Sequence, residues 1–246
     1  MIPKVIHYCW FGHSPLPPKA KKCIKSWKKH LPDYEIKEWN EDNFNVNIIP
    51  YTTEAYKAKK YAFVSDYARF WILYSHGGIY FDTDVEIIKS IDDIIATGPF
   101  MGCENEYKKG ATNLGVNPGL GIGVPPGFAL YKQLLELYST LTFVYTIKES
   151  ISIKTIVDYT TELLVANGLE NKPGIQFVNG IYIYPAEYFC PINVITKRLH
   201  ITPNTRTIHH YAATWMDKSW KNQLKQRVRR YLPESWLLQI NRLKHK

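Results

Sequence analysis

Apolar and polar positions along this chain follow two periods, and the switches between them predict a β-α-β opening. Pro3 to Phe11 is a short apolar run that ends in Gly12 and the prolines Pro15, Pro17 and Pro18. Such a run reads as a buried strand with a loop beyond its carboxyl end. Ala20, Cys23, Ile24, Trp27 and Leu31 then recur at helical spacing with lysines opposite, so Lys19 to His30 predicts an amphipathic helix. Pro32-Asp33 breaks it, and Tyr34 to Trp39 predicts a second strand. Residues 54 to 76 predict one or two helices that stop at Gly77-Gly78, where a C-cap glycine is expected. Ile79 to Ile87 predicts one continuous strand. Further on, Pro99 to Glu104 and Gln176 to Tyr184 predict strands, the latter with its alternation broken at Gly180. Pro126 to Leu141 and Ser152 to Asn167 predict helices. This order belongs to a single α/β domain over residues 1–217.

Charge separates the remainder. Residues 218–246 hold nine Lys or Arg against one acid, Glu234, whereas the first 217 residues hold 22 basic and 21 acidic groups. The basicity therefore sits in a tail, which argues against a body that binds nucleic acid. In the tail, Trp220, Leu224, Val228 and Leu232 lie near one helical face, and Trp236, Leu237, Leu238, Ile240 and Leu243 follow Pro233. That pattern fits a basic amphipathic helix on an anionic membrane, or equally a stripe packed on the domain with its lysines solvated. No apolar run approaches the ~18 residues of a membrane span. The segment from Met1 to Ile6 lacks signal-peptide features. The four cysteines, none in a CxxC pair, read as reduced thiols. A cytoplasmic protein, peripheral on the inner face of the plasma membrane if the tail binds there, is the expectation.

The candidate chemistry lies in Ser65-Asp66-Tyr67-Ala68-Arg69 and Gly77-Gly78-Ile79-Tyr80-Phe81-Asp82-Thr83-Asp84. Strand parity puts Tyr80, Asp82 and Asp84 on one face and Ile79, Phe81 and Val85 in the core. Paired carboxylates where a buried strand emerges offer hard oxygen ligands to Mn²⁺ or Mg²⁺. An ion there would neutralise charge developing on a diphosphate leaving group. Asp66 and Arg69, three apart on a helix, share a face and suit phosphate and sugar hydroxyls. Taken singly, the aspartates also fit a solvated strand end, and Asp66/Arg69 a surface ion pair. Glu86 shares the parity but is read as structural.

The run SDYARFWILYSHGGIYFDTDVE closely resembles the central motif of the DXD-containing glycosyltransferase family 32. The opening IPKVIHYCWFG resembles that family's first strand and loop, and IHHYAATW its closing motif. The clostridial glucosylating toxins share this core more distantly. The resemblance implies a GT-A fold, a Rossmann-like α/β/α sandwich, and a retaining transferase that uses a nucleotide-sugar donor with Mn²⁺ or Mg²⁺. A UDP-sugar is favoured, with GDP-mannose as the other donor. The acceptor would be a glycan or lipid-linked saccharide in surface polysaccharide (capsule) synthesis. By the same resemblance Cys9 and Trp10 match the base-binding loop, with the Trp10 ring near the nucleobase. Asp66 and Arg69 match residues that hold the donor sugar and diphosphate. Tyr80 matches a ring beside the sugar or base, and Asp82 and Asp84 the metal-diphosphate pair. Asn117 corresponds to an Asn that contacts the donor sugar, although its glycine-rich surroundings depart from the usual motif. His210 is the further metal ligand, with His209 as its rival. Thr214 stands where the family commonly has Ser, and Trp215 is placed as a lid residue.

Two other classes compete. A metal-dependent nucleotidyltransferase or phosphohydrolase would also use paired aspartates, and would act on nucleotides without a sugar acceptor. A non-enzymatic basic membrane-binding protein would bind polyanions through its body as well as its tail.

Overall fold

The structure is a computed structural model that describes residues 1–107, 114–143, 154–193 and 196–212. The tail, Thr214 and Trp215 lie outside the described residues. Among those described, seven strands make one mixed sheet: β1 (Val5–Cys9), β2 (Glu35–Trp39), β3 (Gly78–Tyr80), β5 (Phe100–Gly102), β6 (Ile122–Val124), β7 (Gln176–Val178) and β8 (Ile181–Tyr184). Their spatial order is β2-β1-β3-β6-β5-β8-β7, while β4 (Val85–Ile87) and β9 (Thr207–His209) form a separate pair. The strand β1 runs parallel to both β2 and β3, and β6 enters antiparallel between β3 and β5. The helices are α1 (Pro18–His30), α2 (Pro50–Lys57), α3 (Tyr61–His76), α4 (Asp92–Thr97), α5 (Ala129–Ser139), α6 (Ile156–Ala166) and α7 (Ala186–Phe189).

Strand parity divides the apolar side chains between two cores, giving the expected α/β/α sandwich. Tyr80, Ile122 and Val124 face one core with Ala68, Leu73, Leu130, Leu134 and Leu164 from α3, α5 and α6. Ile6, Ile79 and Phe81 face the other with Trp27 and Leu31 from α1 and its end. Trp27 is fully buried and donates Nε1–H to the Val85 carbonyl at 2.7 Å, which seats α1 across β4. A buried side chain of this size is worth about 1.5–3 kcal/mol in transfer free energy.

The helix α3 stops where expected, and the reason is local. Gly77 and Gly78 both take positive φ, +65° and +99°, which costs glycine little. A Cβ at Gly78 would also meet the Val5 carbonyl at 2.7 Å. His7 fixes this turn to the sheet. Trp39 Nε1 donates to His7 Nδ1 at 3.0 Å, so the proton sits on Nε2, which donates to the Gly77 carbonyl at 3.0 Å. Burial holds the His7 ring down at about 4, so it stays neutral.

Two expected strands are corrected. Ile79 to Ile87 is not continuous: β3 ends at Tyr80, and the Val85 amide turns back to the Asp82 carbonyl at 3.0 Å. Asp-Thr-Asp favours a turn over a ladder, so the chain leaves the main sheet and re-pairs as β4 with β9. Gln176 to Tyr184 is a hairpin rather than one strand, because Asn179 and Gly180 both have positive φ. Asn-Gly at such a turn is the strongest short-range hairpin signal.

Candidate active site

Parallel pairing of β1 with β3 brings two loops out together at their carboxyl ends, and the Phe81 amide donates to the His7 carbonyl at 3.2 Å. Cys9 closes β1 and is buried among Ser65, Arg69 and Tyr80; burial pushes its thiol up to about 12. Trp10 follows, half-buried, with its Nε1–H donated to the Ser14 carbonyl at 2.6 Å.

Arg69 reaches this edge from α3 and is 3% exposed. Its Nη2 lies 2.9 Å from Asp66 Oδ1, its Nη1 3.3 Å from Asp82 Oδ1, and its Nε donates to the Ser65 carbonyl at 3.1 Å. The guanidinium carbon sits 4.9 Å from the centroid of the Tyr80 ring, whose hydroxyl donates to Asp82 Oδ1 at 3.1 Å. The pair Asp66/Arg69 is therefore built into the site and is not a surface ion pair. Burial pushes the Asp66 carboxyl up to about 7, with Arg69 opposing and Asp82 adding to the shift.

The turn after β3 carries both aspartates. Asp82 is the more open, its side chain 30% exposed against 15% for Asp84. Asp84 Oδ1 lies 3.1 Å from His209 Nε2, and Asp84 Oδ2 accepts the Ala212 amide at 2.6 Å. Burial opposes the Asp84 charge, but His209 and the Ala212 amide outweigh it and hold the carboxyl down at about 2. Burial also disfavours the His209 imidazolium, yet Asp84 raises it above the ordinary histidine value.

His209 is where the structure corrects the sequence reading, which put His210 first. In the β4–β9 register His209 stands opposite Val85, next to Asp84. One ligand atom each from Asp82, Asp84 and His209 lie within 4.8 Å of one another. His210 turns away and meets Glu86 at 2.8 Å, and Glu86 also pairs with Lys22 at 3.2 Å. Two carboxylates and an imidazole fit a divalent cation such as Mn²⁺ or Mg²⁺. Among the described residues, the buried His209 Nδ1 has no hydrogen-bond partner.

Asn117 lies behind the Asp82 turn. Both ends of its buried amide are engaged within the chain: Oδ1 accepts the Gly119 amide at 2.8 Å, and Nδ2 donates to Glu104 Oε2 at 2.9 Å. Gly119 in turn accepts the Asp82 amide at 3.1 Å. Asn117 thus supports the Asp82 turn, and Glu104 and Gly119 join the site although the sequence reading passed over both.

Residues 17–101, which carry Asp66, Arg69, Asp82 and Asp84, match the family described as "Glycosyltransferase sugar-binding region containing DXD motif". The chain is a glycosyltransferase. It is 28% identical over 203 residues to an uncharacterized glycosyltransferase of Acanthamoeba polyphaga mimivirus, covering 78% of each protein. It is 33% identical over 98 residues to inositol phosphoceramide mannosyltransferase 3 of Schizosaccharomyces pombe, covering 38% of this chain and 27% of that enzyme. Among solved structures it is similar to the PaToxG glycosyltransferase, with 21% identity, a TM-score of 0.49, and coverage of 67% of this chain and 69% of that one. Among the described residues, no helix is long and apolar enough to cross a membrane.

Proposed function

We propose that this glycosyltransferase is metal-dependent and transfers a hexose from a nucleotide-diphosphate sugar to a glycan or lipid-linked acceptor, with retention at the anomeric carbon. The observation that carries the reading is the convergence of Asp82, Asp84 and His209 beside a buried arginine. A divalent cation held by these three residues supplies Lewis-acid stabilisation of a diphosphate leaving group. Everything else falls to the chain. Arg69 compensates Asp66 and Asp82, and so holds the Asp82 carboxylate where a ligand needs it. In this reading the Asp66 carboxylate accepts sugar hydroxyls, and Trp10, just beyond the neighbouring strand, stacks on the base. The site's preformed hydrogen bonds leave little reorganisation for the transfer step.

A UDP-sugar is the favoured donor, with GDP-mannose next, and surface polysaccharide is the favoured product. Residues 218–246 are assigned as a basic tail on an anionic membrane, outside the domain of residues 1–217. The experiment is a screen of UDP- and GDP-sugars for nucleotide release by the purified chain, with Mn²⁺, Mg²⁺ or EDTA. Metal-dependent release that Asp84→Ala abolishes in a folded variant supports the reading. Release from nucleoside triphosphates alone, or full activity of Asp84→Ala, overturns it. The anomer of the transferred sugar, read by NMR, tests retention.

A further inference from the structure

The helix α1 carries six lysines, at 19, 21, 22, 25, 28 and 29, all exposed, and no acid. At about 100° per residue, Lys21, Lys22, Lys25, Lys28 and Lys29 fall within an arc of about 120° and extend about 12 Å along the axis. The buried Ala20, Cys23 and Trp27 lie on the opposite side. This stripe concentrates the positive charge of the body. Residues 1–40 hold eight lysines against three acids, whereas residues 41–217 hold 14 basic and 18 acidic groups. Lys22 pairs with Glu86; among the described residues Lys21, Lys25, Lys28 and Lys29 have no ion-pair partner. Asp33 and Glu35, the nearest acids in sequence, come only after the helix has ended.

We propose that this face of α1 is a docking surface for a lipid bilayer bearing anionic headgroups. Charge complementarity is the first ground: a compact row of ammonium groups attracts such a surface within a Debye length. The flank of the stripe is the second. An open groove of about 450 Å³ runs beside it, lined by Tyr8, Ile24, Lys28, Pro32, Tyr34 and Ile36. Aromatic and aliphatic groups beside Lys28 and the lysine stripe suit the headgroup–acyl boundary. A nucleic-acid backbone instead calls for cations that track it along a groove, and Lys28 is the only cation in this lining. Position is the third ground. The helix lies along β4, where the Ile87 amide donates to Ser26 Oγ at 2.9 Å, and Lys22 reaches Glu86 two residues beyond Asp84. A bilayer docked on α1 thus lies against the rim of the active site. The inference depends neither on the donor assignment nor on the tail.

The test uses the full chain and sedimentation with vesicles of phosphatidylcholine, with or without phosphatidylglycerol. Lys21→Gln, Lys25→Gln, Lys28→Gln and Lys29→Gln are combined in one variant, leaving Lys19 and Lys22 near the site untouched. The expected result is a loss of affinity for the anionic vesicles of about tenfold or more. The corresponding arginine replacements should retain binding, and the melting temperature and metal-dependent donor hydrolysis should be unchanged. The proposal is overturned if the glutamine variant binds anionic vesicles like the parent chain, or if the parent binds neutral vesicles equally well. Displacement of the parent chain from anionic vesicles by equimolar single-stranded RNA also overturns it.

Discussion

Gly119 holds Asp82 from two directions. Its carbonyl accepts the Asp82 amide at 3.1 Å, and its Cα faces the Asp82 carboxylate so closely that an added Cβ would overlap Oδ2. Behind it, the Asn117 amide links the Gly119 amide to Glu104. A methyl group at 119 must therefore displace the carboxylate or the turn. Gly119→Ala is expected to weaken Mn²⁺ binding by about tenfold or more, equivalent to ~1.4 kcal/mol. Overpacking should also cost about 1–3 kcal/mol of stability. Calorimetric titration with Mn²⁺, beside a thermal melt, checks both, and wild-type metal affinity would show that Asp82 does not need this packing.

The two adjacent histidines should separate cleanly. His209→Ala removes an imidazole from the Asp82/Asp84 cluster and should lower Mn²⁺ affinity by about ten- to a hundredfold. His210→Ala loses a partly exposed contact with Glu86, and such pairs are worth only about 0–1 kcal/mol. Its metal affinity should stay within about threefold. The reverse ranking would return the ligand role to His210.

Most of this architecture was legible because it rests on local signals. The Gly77-Gly78 stop, the apolar run of β1 and the amphipathic pattern of α1 each follow from a few neighbouring residues. Parity also separated Ile79 and Phe81 from Tyr80, although the second core that buries the Tyr80 ring comes from the structure. What parity could not reveal was the break after Tyr80, because pairing of β4 with β9 depends on a strand about 120 residues away in sequence. The choice between His209 and His210 turned on the same long-range register. Glu104 and Gly119 were passed over for a related reason. Their link to Asp82 runs through β5, the Asn117 turn and β6, and no spacing along the chain encodes it. Asn179-Gly180, by contrast, was a readable hairpin signal that a count of strand alternation obscured.

Arg69 should prove structural as well as functional. It is the cation shared by Asp66 and Asp82, so Arg69→Ala leaves buried carboxylate charge uncompensated. Removing one partner of a buried pair typically costs about 3–5 kcal/mol. Arg69→Lys keeps the charge but loses the planar fork that reaches both acids, and should recover part of the stability with little of the activity. Urea denaturation combined with donor hydrolysis checks this. A lysine variant with full activity would reduce Arg69 to a bare charge.

Asp66 should give the fold a measurable pH dependence of unusual sign. Burial raises its carboxyl from 3.8 to about 7, so between those values the folded chain keeps a proton that the unfolded chain has released. Stability linked to this group therefore falls as pH rises across that window, by roughly 4 kcal/mol in all, and levels off above it. Asp66→Asn cannot ionise and lacks this contribution. It does lose the charged contact with Arg69, but that loss matters most at high pH, where the carboxylate exists. Urea unfolding of both proteins at intervals from pH 4.5 to pH 8, in EDTA, isolates the group. The parent curve should fall more steeply than the variant's up to about pH 7, and the two should then run parallel. Parallel curves over the whole range would mean that Arg69 keeps Asp66 ionised throughout.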